Sequence, residues 1–220
     1  MKYNIDSELK LISKIKMPNN PKLLPVMNAV CRGFVCKSDD RVAVKKTRLH
    51  GYEGAELSAY VIEPKQVEDK TKPLPCLVFF HGGGFIFGDK TSGDPLSVNN
   101  GDVSKLLEIV KSGYILVNAN YALAPKYRFP VQILQIDELF KYLLTHDEEL
   151  NIDMNHVCLA GSSAGAIMTE IYATCVCNQD YAQRFDLNPI MSSDKLKVLA
   201  IDEAALDAST FNKNMYAMLG

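Results

Sequence analysis

Val157-Cys158-Leu159-Ala160-Gly161-Ser162-Ser163-Ala164-Gly165 joins a four-residue apolar run to a glycine-bracketed serine, and residues 164–177 continue from it with a helical pattern. A strand that turns directly into a helix holds the residue at the turn in a strained conformation and leaves no space for side chains two positions to either side. Gly161 and Gly165 supply that space, so Ser163 is expected to project its hydroxyl from the carboxyl edge of a sheet. The helix that follows presents its N-terminus there, and the Ala164 amide can donate to a developing negative charge. The bare pattern G-x-S-x-G also describes an ordinary glycine-bracketed turn. The buried strand before it and the helix after it favour the sharper reading.

A second motif lies upstream. Residues 74–80 form another apolar run, and His81-Gly82-Gly83-Gly84-Phe85 follows it directly. Glycines at the end of a strand let backbone amides approach a ligand carbonyl closely, which supplies the other half of an oxyanion hole. Phosphate binding is the competing reading of a glycine-rich loop. Asp89 between Gly88 and Lys90 breaks the required Gly-Lys-Thr register, and Phe87 stands where a dinucleotide fingerprint needs its third glycine, so both are set aside.

Around these motifs the chain alternates strand and helix. Residues 103–112 read as a helix, 114–118 as a buried strand, 131–146 as a long amphipathic helix and 196–201 as a last strand. Continuous apolar runs suit strands covered on both faces, so the alternation predicts an α/β fold: a three-layer αβα sandwich with a mostly parallel sheet. Upstream, 41–49 and 57–64 read as a hairpin around Gly51-Tyr52-Glu53-Gly54, and 8–15 and 21–32 as two helices split by Asn19-Asn20-Pro21. Nothing in composition divides the chain. We expect one domain over 1–220, with a helical segment in 1–40, the sheet core in 41–209 and the beginning of another segment in 210–220.

The chain's 24 basic and 26 acidic residues leave a net charge of -2, which offers no footprint for a nucleic-acid backbone. No apolar stretch approaches the roughly 18 residues of a membrane span, and the N-terminus lacks the apolar core of a secretory signal. A cytoplasmic location is expected. The six cysteines include Cys76 and Cys158 in strand-like runs and Cys175 and Cys177 in a helical one, which suits buried reduced thiols. With no paired CxxC and no HExxH, neither a metal nor another cofactor is expected.

These motifs carry a resemblance. His81-Gly82-Gly83-Gly84-Phe85, Tyr121-Ala122-Leu123-Ala124-Pro125-Lys126 with Phe129-Pro130, and Gly161-Ser162-Ser163-Ala164-Gly165 resemble the α/β-hydrolases of the hormone-sensitive-lipase-like esterase group. The resemblance covers roughly residues 74–206. It implies a serine carboxylesterase acting on small acyl esters, with Ser163 as nucleophile and the amides of Gly83, Gly84 and Ala164 as oxyanion donors. His81, with Gly82, is implied as a loop-orienting residue and not as the base, and the leading helices as part of a cap. The chain departs from that group at Ser162, where an acidic residue is usual, and at Ala122 and Lys126, where Arg and Glu are usual.

Acyl transfer by a serine needs a general base and an acid that orients it, in chain order Ser, Asp/Glu, His. No histidine follows Ser163; His50, His81, His146 and His156 all precede it. His156 is seven residues upstream of Ser163 on the same strand, roughly 20 Å away at about 3.3 Å per residue. His146 ends a helix that runs back to that far edge, and His50 lies on the hairpin. Asp202 and Asp207 are weak candidates for the acid, since both also read as turn and cap residues.

We therefore expect a chain that stops before its acid and base, as a C-terminally truncated esterase would. The alternative is a non-catalytic α/β-hydrolase-like binding protein. A sheet lacking its last strands would expose an unpaired edge, which predicts self-association.

Overall fold

The computed structural model describes residues 39–67, 69, 71–86, 88 and 101–204. Six strands form one sheet: β1 (Val42–His50), β2 (Glu56–Pro64), β3 (Leu74–Phe80), β4 (Ile115–Asn120), β5 (Ile152–Ser162) and β6 (Leu196–Asp202). Their spatial order is β1-β2-β4-β3-β5-β6. The first two make the expected antiparallel hairpin, in register from Val42 opposite Pro64 to His50 opposite Glu56, and a 3-10 turn over Tyr52–Gly54 closes it. β2 then joins β4 antiparallel, while β3, β4, β5 and β6 run parallel. The leading helices, residues 210–220 and Asp207 lie outside the described residues.

The helices are α1 (Gly101–Lys111), α2 (Val131–Thr145), α3 (Asp147–Leu150), α4 (Ala164–Cys177) and α5 (Gln179–Ala182). α2 carries Ile133, Ile136, Leu139, Phe140 and Leu143 at helical spacing, and all five are buried. They pack with Met168 and Tyr172 of α4 against Cys76, Val78, Val117, Val157 and Leu159 on one sheet face. The opposite face is covered by α1, whose Leu107 and Val110 meet Tyr60, Ile62, Leu77, Phe79 and Leu116. Alternate residues of β3 and β4 thus feed two different cores. This double cover explains why those strands read as unbroken apolar runs: the strand period of two has no solvent side to mark.

Two details differ from the sequence-based expectation. β5 starts at Ile152, not Val157, and its pairing with β3 jumps from Asp153 to Val157, so Met154, Asn155 and His156 form an irregular bulge that polar residues disguise as loop. At the other edge, β6 is not covered as a strand of a three-layer sandwich should be. From Lys197 to Asp202 every residue is exposed, including Val198, Leu199 and Ile201.

The expectation of buried thiols holds for Cys76 and Cys175 and fails for Cys177, which is exposed because a residue two positions along a helix turns about 200° away. Cys158 is half-buried, and all four described cysteines are free. Among the described residues, no group of His, Cys, Asp and Glu could hold a metal, and no helix is long and apolar enough to cross a membrane.

Candidate active site

Three segments converge at the carboxyl edge of the parallel strands: the loop after β3, the turn from β5 into α4, and the stretch after β4. Ser163 is the turn residue. Its φ of 50° and ψ of -113° lie where a residue with a side chain is strained, and it is the N-cap of α4 without using its hydroxyl as a capping acceptor. The hydroxyl is therefore left for other chemistry. Ala164 follows as the first helical residue, where an amide has no acceptor within the helix.

The two glycines of this turn are required by close backbone approach. A Cβ on Gly161 would lie 2.4 Å from the backbone of Gly165, and one on Gly165 would lie 2.0 Å from the Phe80 carbonyl oxygen at the end of β3. The elbow therefore sits against the root of the glycine loop. Gly82 completes the contact: its Cβ position is 3.1 Å from both the Ser162 oxygen and the Ser163 Cβ. Gly83 and Gly84 then take φ of 115° and 60°, a left-handed path open to glycine, and Phe85 follows at 62°. The structure thus brings together Ser163, Ala164 and Gly82, which the sequence places some eighty positions apart, with Gly83 and Gly84 next along the loop.

His81 is buried at the root of this loop. Its Nδ1 lies 2.6 Å from the Gly82 carbonyl oxygen, and because a carbonyl only accepts, the ring nitrogen donates. The imidazole stacks on the Tyr121 ring at 4.4 Å, and a side chain at Gly88 would collide with its Cε1 at 2.8 Å. The Tyr121 hydroxyl in turn donates to the His81 carbonyl at 2.8 Å. Burial raises the Tyr121 phenol well above its ordinary value, so it remains a proton donor.

The backbone that follows Tyr121 is held by two buried glutamines of α2. Gln135 accepts from the Ala122 amide at 2.7 Å, and Gln132 donates to the carbonyls of Ala122 at 3.0 Å and Tyr127 at 2.9 Å. Sequence reading missed these residues. Their signal was available, since 132 and 135 are polar positions on the apolar side of an amphipathic helix. A buried Asp137, two residues beyond Gln135, also went unnoticed. It accepts from the Tyr172 hydroxyl and the Ile190 amide, both at 2.8 Å, and ties α2 to α4 and to the segment before β6.

The other candidates are placed as follows. The Asp202 carbonyl accepts from the Ser163 amide at 2.8 Å, so Asp202 adjoins the elbow through its backbone while its side chain is exposed. His156 is exposed on the β5 bulge, where its Nδ1 pairs with Asp153 at 2.6 Å, and His146 stacks on Tyr142 at the end of α2. Both belong to the sheet edge where β5 begins, opposite Ser163. His50 ends β1. Among the described histidines only His81 adjoins the elbow.

Comparison with known proteins gives the family and the fold. Tuliposide A-converting enzyme 2 of Tulipa gesneriana is 31% identical over 140 residues, which cover 60% of this chain and 35% of that enzyme. An esterase of Gibberella moniliformis is 29% identical over 127 residues, covering 58% and 36%. The chain thus spans about a third of the length of the curated relatives it matches. Among solved structures, a bacterial heroin esterase superposes with a TM-score of 0.66 at 23% identity, over 96% of this chain and 60% of that one. Esterase B of Lactobacillus rhamnosis does so with a TM-score of 0.70 at 16% identity, over 99% and 65%. These likenesses establish an α/β-hydrolase fold. Residues 62–210 match the BD-FAE family, and the chain belongs to that α/β-hydrolase-like family.

Proposed function

We propose that this chain carries the nucleophile and oxyanion half of a serine carboxylesterase for small acyl esters. Ser163 attacks the ester carbonyl, and the oxygen that becomes negative is received by the amides of Gly83, Gly84 and Ala164 at the positive end of α4. Collapse of the tetrahedral adduct expels the alcohol and leaves an acyl-enzyme, which water hydrolyses. His81 and Gly82 orient the glycine loop. The observation that carries this reading is the contact of Gly82 with Ser163, which sets a glycine-rich backbone beside a strained serine. The esterase names among its relatives support the substrate class.

The base and the acid are proposed to come from outside these 220 residues, because no histidine follows Ser163, His146 and His156 lie at the opposite edge, and His50 ends β1, four strands away from β5 in the sheet. The test is hydrolysis of a p-nitrophenyl ester by this chain and by a chain extended with the downstream coding sequence. The short chain is expected to be slower by orders of magnitude, as enzymes lacking triad members are. Fast turnover by the short chain, abolished in Ser163→Ala, would overturn the assignment. The second reading is a non-catalytic binding protein on the same fold; inactivity of the extended chain would select it.

A further inference from the structure

We propose that the cleft between the β1–β2 turn and the stretch after β4 binds a small zwitterion, with its ammonium group on Glu56 and its carboxylate on Lys126. The cavity, its rigidity and its charges lead there, and none of the three depends on the reaction proposed above. The cleft has a volume of about 460 Å³ and is lined by Gly54 and Glu56 on one wall and by Leu123, Lys126 and Tyr127 on the other. That volume is in the range of small-molecule sites.

The base of the cleft is packed. Ala55, Ala122 and Val131 are buried together as a small core, and Tyr127 packs against it. One fully buried side chain, Gln135, joins the two walls at their roots: it accepts from the Ala122 amide at 2.7 Å and donates to the Ala55 carbonyl at 3.4 Å. Ala55 stands between Gly54 and Glu56, and Ala122 precedes Leu123, so both walls are tied down beside the residues that line them. Gln132 braces the second wall by donating to the carbonyls of Ala122 and Tyr127. Walls whose spacing is fixed from below leave little ordering cost for a ligand to meet.

Charge decides what fits. Glu56 and Lys126 are exposed on different walls of this one cleft, and among the described residues neither joins an ion pair. The Lys126 ammonium is held over the Tyr127 ring, 4.9 Å from its centroid, which places the charge while keeping N–H donors for an acceptor. A simple anion is repelled by Glu56 and a simple cation by Lys126. A neutral molecule that carries both charges at its two ends meets each wall with the opposite sign, and the matching class is an amino acid.

Titration of the 220-residue chain with glycine, 4-aminobutyrate and 6-aminohexanoate, followed by amide chemical shifts, tests the proposal without calling on catalysis. Hexylamine and hexanoate serve as single-charge controls. The amino acid whose charge separation matches the cleft is expected to bind more tightly than the other two and than both controls, with shifts centred on Glu56, Lys126 and Tyr127. Glu56→Gln and Lys126→Gln should each weaken it about fivefold. Glu56→Lys or Lys126→Glu alone should weaken it further, and the two reversals combined should restore binding, since the ligand has only to turn end for end. That rescue separates lost charge from lost folding. No saturable shift with any of the three, a single-charge control that binds as tightly, or affinity indifferent to the charge variants would each overturn the proposal.

Discussion

The Ser163 amide donates to the Asp202 carbonyl at 2.8 Å, so the elbow is anchored to the end of β6 through the backbone of its strained residue. The bond occupies the amide of Ser163 and leaves the Ala164 amide, one residue on, for the oxyanion hole proposed above. It also means that the strain at Ser163 is held by the sheet and not by the side chain. Ser163→Gly should therefore relieve strain and raise stability by about 1 kcal/mol, read as a higher midpoint in urea. A lower midpoint would show that the side chain contributes packing that outweighs the strain.

The glycines of the elbow and of the loop after β3 differ sharply in what they tolerate. Gly165→Ala drives a methyl into the Phe80 carbonyl and should cost about 3 kcal/mol or more, since backbone on both sides must move. Gly84→Ala meets open space and is charged only for its φ of +60°, about 1 kcal/mol. Thermal unfolding of the two variants should rank them in that order.

Asp137→Ala leaves the Tyr172 hydroxyl and the Ile190 amide without their shared acceptor and Lys141 without a carboxylate 3.3 Å away. Removing one member of a buried network costs the desolvation of the rest, here about 3 kcal/mol by equilibrium denaturation. Because Tyr172 stacks on Phe140 at 5.5 Å, the near-ultraviolet circular dichroism of the variant should change as well.

Asp39 gives a pH signature. The Arg41 guanidinium first, then the Arg41 amide and the Lys111 ammonium, hold its carboxyl well below the ordinary 3.8. A depressed carboxylate contributes stability that is present above the unfolded value and lost as pH falls through the folded one. Wild type and Asp39→Asn should therefore differ in urea midpoint at pH 6, modestly because its partner Arg41 is exposed to solvent, and converge as the pH drops below 3.8. A difference that widens on acidification would contradict the assignment.

Thiol labelling should follow burial. Exposed Cys177 is expected to react with iodoacetamide in the native protein, while burial pushes the Cys76 thiol up and shields it until unfolding. Burial likewise raises Cys175, to about 11. Peptide mapping by mass spectrometry after timed labelling reads the order directly.

Much of this was legible along the chain because the relevant signals are local. An apolar run between turn residues marks a strand wherever it ends up, and β3, β4 and α4 lie within two residues of where the pattern puts them. The β5 bulge was not legible, since Asp153, Asn155 and His156 look like loop residues and only pairing with β3 reveals Asp153 as strand. The same holds for Gln132, Gln135 and Asp137. Their polarity is plain in the sequence, but which carbonyl or hydroxyl each one reaches depends on how α2 lies across the sheet.

Sequence by itself determined the alternation of strand and helix, the two glycine motifs, and the lack of any histidine after Ser163, all properties of neighbours along the chain. Tertiary structure alone decided that Gly82 abuts Ser163, that His81 is walled in by Tyr121 and Gly88, and that Val198, Leu199 and Ile201 of β6 are exposed. Those facts depend on parallel strand order, which is set by crossovers and packing over tens of residues and leaves no mark on any single stretch of sequence.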